Sequence, residues 1–424
     1  MDRPTMTPAE QLVAVMTRIY ESRLTTPSGG NLSVLDADGS LWVTPSQIDK
    51  GRLTTSHMVR IRADGSWQSA CQPTSEWPFH RAVLQARPDC RAVVHAHPTS
   101  LVAFSVVGKP PPLSQFPDLC RWVNRVGFAP YALPGSEKLG QVLGETFATG
   151  CDATLMENHG AVACGRDLMQ AFHRFEALEH LATILLGGAR LGGLRPRSTS
   201  EMKDAVARMD RAWERLDVDT ASQSAQRTEL ADYVRRSHAR GLLGSLTGAL
   251  SSRCGEGLLI APDGTDSANL RAEDLVYVEG DRCAVGRTPH AMVGLHQAIY
   301  RARAHVGSIA TALPAHLMAF AASGVAFDTR TIPEAYIFLK SVPTLPFAAR
   351  FAGELVAEVL NEKAPVALIE SACTVVTGAS PFAVFDRLEV ADFTARSLLD
   401  SAVLGRLKPM PDEVLQEICR VYGC

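Results

Sequence analysis

The chain repeats itself, and that constrains its architecture more than any local pattern does. The run Phe79–Arg87 (FHRAVLQAR) resembles Gly294–Arg303 (GLHQAIYRAR), and both continue without a gap into a strand-like stretch and a proline. A single offset places His80 on His296, Arg87 on Arg303, Pro98 on Pro314, Phe104 on Phe320 and Gly108 on Gly324. Nearer the start, Gly30, Leu32 and Ser33 match Gly248, Leu250 and Ser251; nearer the end, Glu157, Val162 and Gly165 match Glu370, Val375 and Gly378. The 424 residues therefore read as two diverged copies of one domain of about 210 residues. The polar segment DVDTASQSAQ marks the junction. The expected organisation is a first domain over 1–216, a linker over 217–226 and a second domain over 227–424. Ser198 and Glu201 have capping-box spacing and predict a helix running to about Leu216.

Composition narrows the class of function. With 46% hydrophobic and 21% charged residues the chain can bury a core, and 42 basic against 45 acidic side chains leave a net charge of only −3. No charge run suggests nucleic acid or an anionic membrane as a partner. Apolar stretches are too short to span a bilayer, and the first residues lack a signal-peptide pattern. Ten scattered cysteines without a CxxC pair fit reduced thiols in a cytoplasmic protein.

The secondary structure of one copy serves for both. Thr7-Pro8-Ala9-Glu10 combines a capping box with proline at the first helical position, predicting a helix to about Arg23. Short strands follow, then a helix from Glu76 to Arg87, a strand from Arg91 to His97, a helix over 137–149, a strand through Leu155 and a closing helix over 167–186. Interleaved strands and helices predict an α/β domain with both sheet faces covered.

Four local patterns could carry chemistry. In His95-Ala96-His97 the two-residue period of a strand sets both imidazoles on one face, about 7 Å apart along the backbone. Such a pair suits a borderline divalent metal needing further ligands, and equally fits two histidines at a solvated strand end. Glu157-Asn158-His159-Gly160 offers a third imidazole at a turn, or a turn histidine bonded to backbone. Thr74-Ser75-Glu76 opens a helix, where the hydroxyls can cap and an anion can dock. Glu76 is either a first-turn acid that favours the helix dipole or a carboxylate turned toward a metal. Ser28-Gly29-Gly30-Asn31-Leu32-Ser33 is a glycine turn that could approach an anion or merely connect two elements.

Taken together, in this order and spacing, SGGNLS, VTPS, TSEWPFH, HAHP and ENHG resemble the class II aldolase and adducin family over about residues 8–215. The resemblance implies two tandem three-layer α/β/α domains. In the first, His95, His97 and His159 would bind one divalent metal per chain, usually zinc, with manganese, cobalt or iron as alternatives. Glu76 would act there as acid and base, and Gly30, Asn31, Ser46, Thr74 and Ser75 would line a pocket for the anion of a small substrate. The implied reaction is carbon-carbon cleavage, by retro-aldol or decarboxylation through a metal-stabilised enediolate, on a hydroxylated oxo acid or sugar-like anion. An epimerase, an iron-dependent oxygenase and an adducin-like scaffold are the alternatives.

The chain departs from the family pattern in places. Gln47 follows Thr44-Pro45-Ser46 where many relatives have glycine, and Phe116 stands where aldolase members carry a proton-donating tyrosine. In the second copy, Met292 replaces Glu76, Thr311 and Leu313 replace the paired histidines, Ala372 replaces His159 and Ala249 replaces Asn31. The second copy is thus expected to be metal-free, with His290, His296, His305 and His316 as structural or surface groups. Family members form cyclic tetramers with active sites between neighbours, which implies a homodimer of this chain arranged as a pseudo-tetramer of domains.

Overall fold

A meander starts the first sheet. The computed structural model describes residues 6–209, 212–217, 223–284 and 286–423. β1 (Asn31–Leu35), β2 (Leu41–Val43) and β3 (Val59–Ile61) pair antiparallel in succession. The other edge of β1 takes β4 (Ala92–Ala96), in a register that sets Asn31 opposite His95. Adding β5 (Val126–Ala129), β6 (Ala153–Met156) and β7 (Gly160–Gly165) gives the order β3-β2-β1-β4-β7-β6-β5, in which only β5 and β6 run parallel.

The helices are α1 (Pro8–Glu21), α2 (Trp77–Ala86), α3 (Thr99–Val107), α4 (Pro117–Cys120), α5 (Glu137–Ala148), α6 (Leu168–Arg190) and α7 (Thr199–Ala207). Strand alternation divides the core between two faces. Leu12, Met16 and Ile19 of α1 and Phe172 and Phe175 of α6 pack on Leu32, Val94 and Ala163. On the opposite face, Phe79 and Val83 of α2 and Leu143 and Phe147 of α5 pack on Val43, Val93 and Val162. Adjacent Val93 and Val94 therefore serve different layers, and the domain is a three-layer α/β/α sandwich. The Thr7 capping box with proline in the first turn is present, and α1 ends at Glu21, two residues before the expected Arg23.

The second sheet holds β8 (Glu214–Leu216), β9 (Ala249–Cys254), β10 (Gly257–Ile260), β11 (Val276–Glu279), β12 (Arg282–Ala284), β13 (Ser308–Ala312), β14 (Thr344–Leu345), β15 (Val366–Ile369) and β16 (Cys373–Gly378). Its order is β14-β15-β16-β13-β9-β10-β11-β12-β8; without β12 and β8 this is the first sheet read from the other edge. The duplication seen in sequence is thus a duplication of topology. Its helices are α8 (Ser224–Ala239), α9 (Val293–Ala302), α10 (Ala315–Ser323), α11 (Pro333–Leu339), α12 (Gly353–Val359), α13 (Pro381–Ala402) and α14 (Asp412–Tyr422). α13 packs on β13, β16 and α8, and α9 packs on α12.

By contacts, the first unit extends to Leu113 and resumes over Leu119–Ala182, while Ser114–Asp118 and Thr183–Cys424 group with the second. The helix expected to reach Leu216 stops at Ala207, and Glu214–Leu216 is instead a strand parallel to β12. Of the expected linker 217–226, residues 218–222 lie outside the described residues, and α8 begins at Ser224, so the last three belong to a helix. Among the described residues no helix is long and apolar enough to cross a membrane, and the described cysteines are free thiols.

Candidate metal centre

His95 is the penultimate residue of β4, His97 follows the strand's end, and His159 is delivered by the β6–β7 turn. That turn reverses through Asn158 at φ +55°, in the left-handed region asparagine tolerates. One nitrogen from each of the three imidazoles lies within 4.8 Å of the others. Two glycines make the approach possible. A Cβ on Gly160 would sit 2.7 Å from both the Ala96 carbonyl oxygen and His97 Cδ2, and Gly30, at φ +73°, would put one 2.9 Å from the His95 carbonyl oxygen.

Burial keeps these rings neutral. His95 is fully buried and held well below the usual imidazole range, first by burial and then by the neighbouring His97 and His159. His97 is pushed down to about 4 by burial and by His159. His159 is lowered by burial, with the Glu76 charge opposing. His95 Nδ1–H donates to the Ala161 carbonyl at 3.0 Å, leaving its Nε2 lone pair free toward the cluster. His97 Nε2 lies 3.1 Å from it.

Glu76 completes the centre. Its Oε2 is 3.5 Å from His95 Nε2, its Oε1 is 3.8 Å from His159 Nε2, and Oε1 is buried with no hydrogen-bond partner. Asn31 Nδ2 donates to Oε2 at 2.7 Å, while Asn31 Oδ1 accepts from His80 Nε2 at 2.5 Å. His80 Nδ1 in turn lies 2.8 Å from Ser33 Oγ. Burial pushes His80 down to about 3, so the ring is neutral and the direction of the chain follows. The Ser33 hydroxyl donates to His80, His80 to Asn31, and Asn31 to Glu76. Three neutral imidazoles and one orphaned carboxylate oxygen in a buried pocket are a donor set that fits a divalent cation such as zinc.

The expected anion loop has a mixed disposition. Gly30 sits beneath His95. Ser46 is half-buried, its hydroxyl donating to the Pro73 carbonyl, and Gln47 beside it takes φ +57°, a conformation that explains why glycine suits this position. Thr74 is buried and its hydroxyl accepts from the Glu76 N–H at 3.3 Å, whereas Ser75 is exposed. The expected side-chain cap on α2 is absent: Glu76 itself holds the cap position, its carboxylate turned to the histidines. Asn31 faces Glu76 and His80, a role the sequence did not suggest.

Two further residues were missed. His80 was visible as the repeat partner of His296, but its bond to Asn31 spans 49 positions. Lys50 is 3% exposed; its N–H donates to the Pro27 carbonyl at 2.9 Å and its ammonium to the Pro45 carbonyl at 2.6 Å, tying together the two glycine and proline loops. Burial lowers it to about 8, and no carboxylate among the described residues pairs with it. Phe116 and Gln115 are buried in the segment that groups with the second unit.

The second repeat has rewired the same positions. His296 is again fully buried, its Nδ1 2.7 Å from Ser251 Oγ, but its Nε2 meets Thr311 Oγ1 at 3.0 Å, where the first repeat has His95. Ala249 and Thr311 together replace Asn31 and His95 without stranding the buried ring. His316 bonds Asp392, which also accepts from the Leu317 N–H at the start of α10, just as Glu179 accepts from Ser100 and Leu101 at the start of α3. Framework contacts persist where the metal donors do not, and among the described residues the only cluster fit for a metal is the one in the first repeat.

Fold and site together define a duplicated α/β/α protein with one three-histidine, one-carboxylate centre. The model of the class II aldolase and adducin N-terminal domain matches residues 10–186 and again 228–399, and the chain belongs to that family. It is 33% identical over 180 residues to the 3-oxo-tetronate 4-phosphate decarboxylase of Escherichia coli K12, covering 42% of this chain and 84% of that one. It is 34% identical over 178 residues to an Escherichia coli L-fuculose phosphate aldolase, covering 42% and 82%. Among solved structures, an L-fuculose 1-phosphate aldolase is similar at 28% identity and a TM-score of 0.44, over 48% of this chain and 96% of that one.

Proposed function

We propose that the chain is a divalent-metal-dependent carbon-carbon lyase whose single site lies in the first repeat, acting on a small hydroxylated oxo acid or sugar-like anion. The observation that carries this reading is the buried, unpartnered Glu76 Oε1 beside three neutral imidazoles. His95, His97 and His159 would hold the cation, with His95 oriented by Ala161. When bound, a zinc-like ion supplies Lewis-acid stabilisation of the negative charge that develops as the carbon-carbon bond breaks. Glu76 Oε1 receives or returns the proton, while Asn31 fixes Oε2 so that the free oxygen points one way. Gly30, Ser46, Thr74 and Ser75 border the place for the substrate's anion, and the Lys50 ammonium behind the Pro45 carbonyl adds a compensating positive charge.

Phe116 in place of a tyrosine favours decarboxylation over aldol cleavage, while the similarity to a 3-oxo-tetronate 4-phosphate decarboxylase and to an L-fuculose phosphate aldolase is equal. The test is carbon dioxide release from 3-oxo-tetronate 4-phosphate against aldehyde release from fuculose phosphate, by wild type and Glu76→Gln. Activity on either that falls about 10²–10⁴-fold in the variant, with metal retained, supports the reading; undiminished turnover in the variant overturns it. The second repeat, in this reading, is a metal-free copy that stands in for a neighbouring subunit, so two chains assemble four repeats. Light scattering should give a dimer, and a strict monomer would contradict that arrangement.

A further inference from the structure

A cavity of about 390 Å³ in the second unit opens at the N-terminus of α9. It is bordered by His290, Ala291 and Met292, which stand where the first repeat has Thr74, Ser75 and Glu76. The metal donors have gone from this repeat, but the cavity has gained cations. Arg208, Arg301 and Arg350 all line it.

Their pairing is incomplete. Arg350 is 5% exposed; its Nη1 and Nη2 reach Asp118 at 2.8 and 3.4 Å, yet its Nε is buried with no hydrogen-bond partner. Arg208 and Arg350 lie over one phenyl ring, 4.9 and 5.3 Å from the centroid of Phe351, so two guanidinium groups converge on one side chain. No carboxylate among the described residues pairs with Arg208, and Glu354 meets Arg301 at 3.4 Å on the exposed rim. Among the described residues, three guanidinium groups against Asp118 and Glu354 leave an excess positive charge beside the positive end of a ten-residue helix. A buried, half-paired arginine is costly unless something completes it.

We propose that this cavity binds a small oxyanion, a phosphate monoester or a carboxylate, in contact with Arg208, Arg301 and the first turn of α9, with the charge of the half-paired Arg350 behind it. The second repeat then keeps an anion-binding function where it has lost the metal chemistry: Thr311, Leu313 and Ala372 offer no ligand set, so whatever binds there is held without being turned over. The arginines set the occupant's sign, and the cavity volume admits a small organic anion as well as a bare oxyanion.

The test uses the whole chain in equilibrium dialysis with radiolabelled inorganic phosphate, and with succinate as a second probe. Arg208 and Arg301 are exposed, so R208Q/R301Q should leave the core intact. Wild type should bind one more anion per chain than this variant, or bind it at least about tenfold more tightly. Phosphate binding that succinate fails to displace assigns a phosphate ligand, and displacement by succinate assigns a carboxylate. Equal stoichiometry and affinity in wild type and variant, including no binding in either, overturns the proposal. Arg350→Met, read for binding only if its circular dichroism matches wild type, should lose the same equivalent.

Discussion

Replacing Asn31 with alanine separates the support of Glu76 from the metal ligands themselves. The side-chain amide makes two buried bonds, 2.5 Å to His80 and 2.7 Å to Glu76. Asn31→Ala strands the His80 Nε2–H and Glu76 Oε2, at about 1–3 kcal/mol for each buried group left without a partner, so about 2–6 kcal/mol in the metal-free chain. The second repeat shows how this loss is offset, because there an alanine at the same position coexists with Thr311, which takes the ring nitrogen at 3.0 Å. Adding His95→Thr to Asn31→Ala should therefore return about 1–2 kcal/mol, although it removes a second buried side chain. Four of the five tryptophans, Trp42, Trp67, Trp77 and Trp122, lie in the first unit, so urea unfolding followed by tryptophan fluorescence reports mainly on it. The readout is the midpoint at constant slope. A double variant no more stable than Asn31→Ala would refute the claim that the two repeats solve one hydrogen-bonding problem in two ways.

Other outcomes follow from the same structure. Gly160→Ala places a Cβ 2.7 Å from His97 Cδ2 and from the Ala96 carbonyl, so the ring must move and metal affinity should fall about 10–100-fold in a chelator competition. His296 is buried with its pKa lowered to about 3, so its neutral form stabilises the fold above pH 6.5 and that stability is lost as pH falls from 6.5 toward 3. By pH 5 the loss is about 2 kcal/mol, and His296→Gln should flatten the acid limb of the stability curve measured by calorimetry. Lys50 is lowered to about 8 by burial, so the folded state disfavours its charge; Lys50→Met should unfold at equal or higher urea at pH 7 while raising KM for an anionic substrate at least severalfold. An unchanged KM would remove Lys50 from anion binding.

What could be read from the sequence was what local rules control. The Thr7 and Ser198 capping boxes are decided within four residues, and both are present. The facing of His95 and His97 follows from the period of a strand, and the duplication follows from matched spacing that requires no three-dimensional knowledge. The parts that escaped depend on distant partners. Glu76 reads equally well as a helix-dipole acid until β1 brings Asn31 beside it, and the relay through His80 to Ser33 joins residues nearly fifty positions apart. Leu216 was expected to end a helix because Ser198 starts one so clearly. Instead Glu214–Leu216 finds the edge of a sheet, a pairing that overrides the propensity of so short and charged a segment. Nothing in the sequence singles out Lys50, which is buried by the closeness of the Pro27 and Pro45 loops.

Metal content per chain, by plasma mass spectrometry on the purified protein after reconstitution and on His159→Ala beside it, tests the central claim most directly. One equivalent of zinc, manganese, cobalt or iron in wild type and none in the variant is the predicted result. No metal in either, or full retention without His159, would contradict a live centre in the first repeat.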